Sequence, residues 1–544
     1  MRLIWLDINA SYSHSSLAFP ALHSQLTGNN SERAEWHVVS GTINSDSATC
    51  LLEMIDYNPD VIFSTAWLFN HTYILNLLSR FKTLSPNTLV ILGGPEFLGS
   101  NFDYLFSNKF INAVFRGEGE EVFPLIIDSL FQNYSWEKIC GMCWIDENGE
   151  YHDNGEAIVS DFSILNPPEK SIFFSWDKHF VQFETSRGCF NNCTFCVSGG
   201  SRKVHNISLD KVVERLNNFR SKGVKEVRVL DRTFNANPER AVELLRIFSK
   251  FQNDMKFHLE IHPALLTPEI KKKLTEVSSG TLHLEAGLQS LDNLVLNTCK
   301  RAGNSEKSID GINFLVSLNK FELHIDLIAG LPLYSYSALI RDVKSLLPLG
   351  VEEIQIELLK LLPGTELREQ ASQYGIVYSA FPPYEVLRTN VISVFELYKI
   401  SVLSKIIDIW YNNKIWRDTF RKIHLENNLF IETFLDYIVT YKLLNNRLSL
   451  ENNGILLFEF CNMHMKAAVI DVASAWIAAG LSLKKGPGKL AKRWIREVSN
   501  EKNPLFDDTN LFNYYYLQDR DRVFWYAFDK TDKKGKPAKF YIIN

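Results

Sequence analysis

Three cysteines carry the chemistry that reads most directly from this chain. Cys189, Cys193 and Cys196 stand in FETSRGCFNNCTFCVSGG with the spacing C-x3-C-x2-C. A structural zinc site closes with four protein ligands, and an ordinary ferredoxin-type cluster takes four cysteines. Three thiolates within eight residues, with no fourth close behind, fall one short of either. The trio therefore points to a cubane [4Fe–4S] cluster with one iron open to something other than protein. Three incidental or zinc-binding cysteines are the alternative. The remaining cysteines, Cys50, Cys140, Cys143, Cys299 and Cys461, are scattered, and most of them read as small buried apolar residues.

A cysteine loop needs elements that hold it. Six strand-like segments, with helical segments between them, follow from residue 179: FVQFETS, KEVRVLD, KFHLEIH, TLHLEAGLQS, ELHIDLIAG and EEIQIELLKLLPGT. Their alternation has period two, which puts one set of side chains on each face. Gln182 and Glu184, then His258, Glu260 and His262, then His283, Glu285, Gly287 and Gln289 share the polar side, continued by His324 and Asp326 and by Gln355 and Glu357. A closed eight-stranded barrel fills its centre with branched apolar side chains. Burying this many carboxylates and imidazoles is costly unless they pair or bind something. A partly open barrel around a polar ligand is expected.

Residues 1–140 alternate differently. RLIWLDI, EWHVVSG, DVIFSTAW, NTLVILGG and INAVFRG are near-continuously apolar, with helix-period segments between them. That pattern predicts a parallel sheet covered on both faces, and such sheets bind ligands beyond the carboxyl ends of their strands. Those ends carry Asp7, Trp67, Gly93-Gly94-Pro95-Glu96 and Gly117-Glu118-Gly119-Glu120. Glycines there would let backbone approach a large ligand, or serve only as tight turns. Residues 141–178 read as a connector with NPPEK near its end.

The cysteine spacing resembles that of the radical S-adenosylmethionine (SAM) superfamily. The LGGPE and RGEGE turns, set ahead of it, resemble the cobalamin-binding domain fused before many radical SAM domains. The resemblance implies an α/β protein: a Rossmann-like (flavodoxin-like) sheet over 1–140, a partial (β/α)6 barrel over 179–385, and a mostly helical domain over 386–544 ending in a short β-hairpin. It implies SAM on the open iron and Phe195 shielding the cluster. Asp231-Arg232-Thr233-Phe234 then stands where the methionyl amine is usually met, with Glu260 on the ribose hydroxyls, Gln289 and Ser290 at the fourth strand's end, and Arg301 on the SAM carboxylate. Gly330-Leu331-Pro332 and Leu362-Pro363-Gly364-Thr365 fall near the adenine. Cobalamin would lie on Gly93, Gly94, Gly117 and Glu118. One departure is plain: the Asp-x-His-x-x-Gly motif that gives cobalt a histidine is absent, and none of His14, His23, His37 and His71 is correctly flanked. Cobalt is therefore expected without a protein histidine, with His14 the first to test otherwise.

The activity implied is that of a cobalamin-dependent radical SAM enzyme, a C-methyltransferase on an unactivated carbon. One SAM yields the 5′-deoxyadenosyl radical and a second methylates cobalamin. A radical SAM cyclase or oxidoreductase without methyl transfer is one alternative; a metal- or cobalamin-dependent binding or regulatory protein is another, against which the open-iron trio and polar lumen argue. A methylthiotransferase carries three more cluster cysteines, which this chain lacks at like positions. The implied reductant is a flavodoxin or ferredoxin, and the substrate is unassigned.

The whole chain sets bounds on these readings. At 544 residues, 46% hydrophobic and 22% charged, it is of ordinary globular composition, and a net charge of -5 argues against phosphate-driven binding over its whole surface. Lys484, Lys485, Lys489, Lys492, Arg493 and Arg496 form a local basic cluster that reads as a solvated helix face and leaves nucleic acid open only there. Residues 390–480 have helical period, and VFWYAFD and KFYII flank a turn as a hairpin. No apolar stretch is long enough to span a bilayer, and the first residues lack a signal pattern, so a soluble cytoplasmic protein is expected.

Overall fold

The first strand, β1 (Arg2–Asn9), buries both its faces. Ile4, Leu6 and Ile8 belong to one apolar core, Leu3 and Trp5 to the core on the opposite side. Beside it lie β2 (Glu35–Thr42), β3 (Val61–Thr65), β4 (Leu89–Gly93) and β5 (Ala113–Phe115), all parallel, in the order β2-β1-β3-β4-β5. This is a flavodoxin-like order, whose ligand crevice lies where the order reverses, between β1 and β3. Helices Ser47–Tyr57 and His71–Leu84 cover the Ile4 face, and Phe123–Leu130 covers the Trp5 face. The five strands are those the apolar runs predict. Two more, β6 (Met142–Ile145) and β7 (Tyr151–Asp153), extend the sheet antiparallel from within the stretch that reads as connector. Strands of four and three residues are too short to show a period in the sequence.

This computed structural model describes residues 1–28, 33–132, 135–198 and 203–481, together with the backbone of four later strands. The chain divides into two compact units. One comprises Met1–Leu323, Gly330–Ser335 and Leu358–Ser393; the other comprises His324–Ala329, Tyr336–Glu357 and Val394–Asn544.

Within the first unit, β8 (Val181–Phe183) leads into β9 (Ser186–Arg187), which pairs antiparallel with β10 (His205–Asn206) and closes the base of the cysteine loop. β11 (Glu226–Val229), β12 (Lys256–Ile261) and β13 (Leu282–Gln289) run parallel to β8 in the order β8-β11-β12-β13. Their alternation is as the sequence predicts: Phe257, Leu259 and Ile261 are buried, whereas Lys256, His258 and Glu260 are half-buried. The apolar face meets the helices, as where Phe257 stacks on Phe248 at 4.2 Å. Each helix between these strands starts on a side chain that accepts a backbone N–H, from Ser208, Asn237, Thr267, Asp292 and Asn304. Such caps satisfy donors the first turn leaves over.

The second unit holds nearly all of β14 (Glu322–Ala329) and β15 (Glu353–Leu358), so all six expected barrel strands are present. Its helices, from Val394–Ile406 to Val469–Ala478, bury Trp410, Trp416 and Trp476 completely or nearly so. The expected hairpin, Arg522–Asp529 with Pro537–Ile543, is part of a larger antiparallel sheet that also contains Ile495–Glu497 and Leu511–Asp519. Of the basic cluster, Lys484 to Arg493 lie outside the described residues, and Arg496 is described as backbone only. Among the described residues no helix is long and apolar enough to cross a membrane.

Candidate functional site

The cysteine loop has little regular structure, so bonds from distant segments fix it. Asn191 accepts the Ala302 N–H at 3.1 Å, the Thr194 N–H donates to the Cys299 carbonyl at 3.0 Å, and the Leu367 N–H donates to the Thr194 carbonyl at 2.8 Å. Cys193 is buried, which pushes its thiol pKa up; the Arg301 guanidinium, with Nη1 3.9 Å from Sγ, partly offsets this. The other end of the same guanidinium donates to the Gly287 carbonyl. Cys189 Sγ lies 3.8 Å from Thr233 Oγ1. Zn–S bonds of about 2.3 Å would bring thiolates sharing one ion within about 4.6 Å of each other. Among the described residues, the one group of three or more ligand atoms within 4.8 Å of each other is Asp146, Glu150 and His152. The cysteine trio does not converge on a single ion position in this way.

Of the residues expected at SAM, Gln289 and Arg301 come together beside the cysteines. A side chain on Gly287 would come within 2.9 Å of Gln289 Nε2 and 3.5 Å of Arg301. Gln289 holds a φ of +71° and leaves its buried Oε1 without a partner, an acceptor aimed at a donor the protein does not supply. Ser290 is fully buried and its Oγ accepts the Asp292 N–H. Glu260 lies on β12 opposite Glu285, which pairs with His258 at 2.9 Å. Gly330 turns the chain at φ +90° after β14. Phe195 is half-buried in the loop.

The Asp231 side chain is engaged within the protein. Its buried carboxylate accepts the Thr185 and Ser186 N–H groups at 2.7 and 2.8 Å and the Thr185 hydroxyl. Burial raises its pKa against those bonds. It therefore anchors the root of the cysteine loop, a use the sequence does not disclose. Arg187, two residues before Cys189, binds Glu184 at 2.6 Å and Glu120 at 2.8 Å and lies over the Phe162 ring. Burial works against its charge, but the two carboxylates outweigh it and raise its pKa further. Arg187 thus ties the RGEGE turn of the N-terminal sheet to the cysteine loop. The only signal in the sequence is its place just before Gly188-Cys189.

His262 positions Arg301. Its Nε2 bonds the Ala302 carbonyl at 2.9 Å, and its backbone pairs twice with the Asn235 side chain. Burial and then the Arg301 charge lower its pKa to about 4 from 6.5. A histidine depressed in the fold stabilises above its unfolded pKa and loses that contribution as pH falls through the folded one. Stability should therefore decline between pH 6.5 and about 4, by up to about 3 kcal/mol at about 1.4 kcal/mol per unit. Denaturant midpoints of wild type and His262→Asn across that window test this: the variant should lose the His262 share of the slope and keep that of His283, which is also lowered to about 4.

The carboxyl edge of the N-terminal sheet opens on a cavity of about 570 Å³. Thr65, Trp67, Gly93, Gly94 and Gly117 to Glu120 line one side; Gln182, Glu184, Arg187, Gly188, Val197, Ser198 and Arg232, around the cysteine loop, line the other. Trp5, Phe63, Phe115 and Phe123 form an apolar part, and Trp5 Nε1 is buried there without a partner. Among the described residues no histidine lines the cavity, and His14 is exposed, bonded to Ser11. Neither Glu260 nor Ser290 lines the cavity.

The glycines have a reason of their own. At φ +109° and +107°, Gly94 and Gly117 would place a Cβ 2.6 Å from the Ala66 carbonyl oxygen and 2.1 Å from that of Ala157. It is neighbouring backbone that requires glycine at these two turns. Glu118 is likewise engaged locally, accepting the Val159 N–H at 2.7 Å. Of the scattered cysteines, Cys50, Cys143, Cys299 and Cys461 are buried as the sequence reading expects, and Cys140 is exposed.

The model of the radical SAM superfamily matches residues 183–346, and that of a protein family of unknown function matches residues 372–536. An uncharacterized methyltransferase of Pyrococcus horikoshii is 24% identical over 58% of this chain and 70% of its own length. The cobalamin-dependent radical SAM methyltransferase TokK of Streptomyces tokunonensis is 20% identical over 60% of this chain, which spans about half (51%) of TokK. In fold, the chain is similar to the radical SAM methyltransferase TsrM of Kitasatospora setae, with a TM-score of 0.55 at 18% identity over 70% of this chain and 78% of that one. It is also similar to the cobalamin-dependent radical enzyme OxsB, with a TM-score of 0.60 at 15% identity over 87% and 78%. With its cysteine loop after the first barrel strand, the chain carries over residues 183–346 a domain of the radical SAM superfamily, whose chemistry takes SAM on a [4Fe–4S] cluster.

Proposed function

We propose that this protein is a cobalamin-dependent radical SAM enzyme that methylates an unactivated carbon. The observation that carries the reading is the shared cavity: the ligand edge of the N-terminal sheet and both flanks of the cysteine loop line one space. When bound, the cluster with SAM supplies the means to abstract a hydrogen, and a corrin supplies a methyl carrier. The chain's own part is to hold and orient them. Cys189, Cys193 and Cys196 hold the cluster, and Arg301 and Gln289 stand ready for SAM. The turns at Gly93-Gly94 and Gly117-Glu118 and the unpartnered Trp5 indole N–H stand ready for the corrin and its polar tail. Among the described residues no histidine lines the cavity, so a corrin held there would have no histidine of the wall beside it. Cys50 and Cys143 lie in the core of the N-terminal sheet, which speaks against a methylthiotransferase's second cluster. Such a cluster works in a reducing compartment such as the cytoplasm, with flavodoxin or ferredoxin as electron donor.

Anaerobic reconstitution with iron, sulfide and aquacobalamin tests this. We expect retained corrin bands without the spectrum of histidine-ligated cobalt, alongside reductive SAM cleavage. Cleavage by a protein that keeps no corrin would leave radical chemistry without cobalt-borne methyl transfer, as in a cyclase or oxidoreductase.

A further inference from the structure

A buried pair joins the N-terminal sheet to the far end of the barrel sequence. Tyr384 donates from its hydroxyl to Glu96 Oε2 at 2.6 Å, and the two residues are 8% and 9% exposed. Glu96 follows directly on Gly93-Gly94-Pro95, which line the cavity. Tyr384 also accepts the Leu361 N–H at its carbonyl, 2.9 Å away. The Arg368 guanidinium lies 4.7 Å from the Tyr384 ring centroid and donates to the Leu361 carbonyl at 3.0 Å. Leu361 opens the Leu362-Pro363-Gly364-Thr365 turn, and just after it the Leu367 N–H bonds the Thr194 carbonyl between Cys193 and Cys196. The turn itself presses on the N-terminal sheet: a Cβ on Gly364 would stand 2.8 Å from that of Leu98. The opposite wall of the cavity has the Glu120–Arg187 contact. The N-terminal ligand edge is therefore tied to both flanks of the cysteine loop.

We propose that Glu96 and Tyr384 are positioning residues that set the separation between the cavity edge at Gly93-Gly94 and the cluster loop. An apolar pair could close the same contact without burying a carboxylate. What the hydrogen bond adds is direction, and a displacement of about 1 Å is enough to cost a reaction on the order of a hundredfold. The inference rests on the proposed function for its purpose, but not for its mechanical part.

The test uses the full chain reconstituted with iron, sulfide and aquacobalamin, as wild type, Tyr384→Phe and Glu96→Gln. In the reduced protein, magnetic coupling between cobalt(II) and the cluster reports their separation by electron paramagnetic resonance. Tyr384→Phe should change that coupling; Glu96→Gln, whose amide oxygen still accepts, should keep it. Hydrogen exchange on protein carrying the cluster alone needs no corrin. There Tyr384→Phe should speed amides of 96–98 and 194–196 together, by about ten- to a hundredfold for a lost charged hydrogen bond, and leave β1 unchanged. Glu96→Leu breaks the same bond from the other side and should behave alike, which covers a poorly folding Tyr384→Phe. Unchanged coupling, or faster exchange confined to the neighbours of residue 384, overturns the proposal. A wild type that takes up no corrin defeats the proposed function, while the exchange experiment still decides the brace.

Discussion

Replacing Cys193 with alanine should leave a folded protein that assembles no [4Fe–4S] cluster and cleaves no SAM. The sulfur is buried, and the loop that carries it is already fixed by Asn191, Thr194 and Leu367, so its removal leaves the loop's anchors in place. Cys189→Ala and Cys196→Ala should behave alike, since a cubane that loses one of three thiolates loses an anchor. The informative control is Cys299. It lies close to Cys193, but burial, and then the neighbouring Cys193, push its thiol up to about 12. Cys299→Ala should keep iron content, the visible cluster absorption and SAM cleavage near wild type. Cleavage in Cys193→Ala, or its loss in Cys299→Ala, would show that a different set of sulfurs binds iron.

Removing the Arg187 side chain should cost about 3–5 kcal/mol, the range for breaking a buried pair from one side. Glu120 and Glu184 would be left facing each other with 11% and 26% side-chain exposure, the positive charge between them gone. Arg187→Met tests this by equilibrium denaturation. Adding Glu120→Gln to it should restore part of the loss, because one of the stranded charges is removed. The exposed Arg246–Glu243 pair, broken as Arg246→Met, should be nearly neutral. A small effect at Arg187 would mean that water reaches both carboxylates once the guanidinium is gone, and that the contact between turn and loop is held by packing alone.

How far the site was legible follows from the sequence distance between its parts. The cysteine trio, the apolar runs of the first five strands and the period-two barrel strands are local patterns, and the structure has them where the sequence puts them. Arg187 reads as one more loop arginine until Glu120 is brought to it, and Glu96 and Tyr384 meet across 288 residues. Asp231 stands where ligand contact is expected but turns to Thr185 and Ser186, because the strand ends it joins are adjacent only in the sheet. Gly94 and Gly117 line the cavity. The reason they are glycine is the backbone of Ala66 and Ala157, which no pattern of glycines discloses.

The bonds that pin the cysteine loop also set an order of events during synthesis. Asn191 waits for Ala302, 111 residues later, and Thr194 for Leu367. Domains fold as units while the chain emerges, so the three thiols leave the ribosome long before the scaffold that spaces them exists. Iron delivered to the nascent chain would meet three loosely placed thiols in a short segment. The machinery that loads this protein should therefore act on the released chain, and a truncation ending before Leu367 should emerge with its cysteines intact and its iron site unformed.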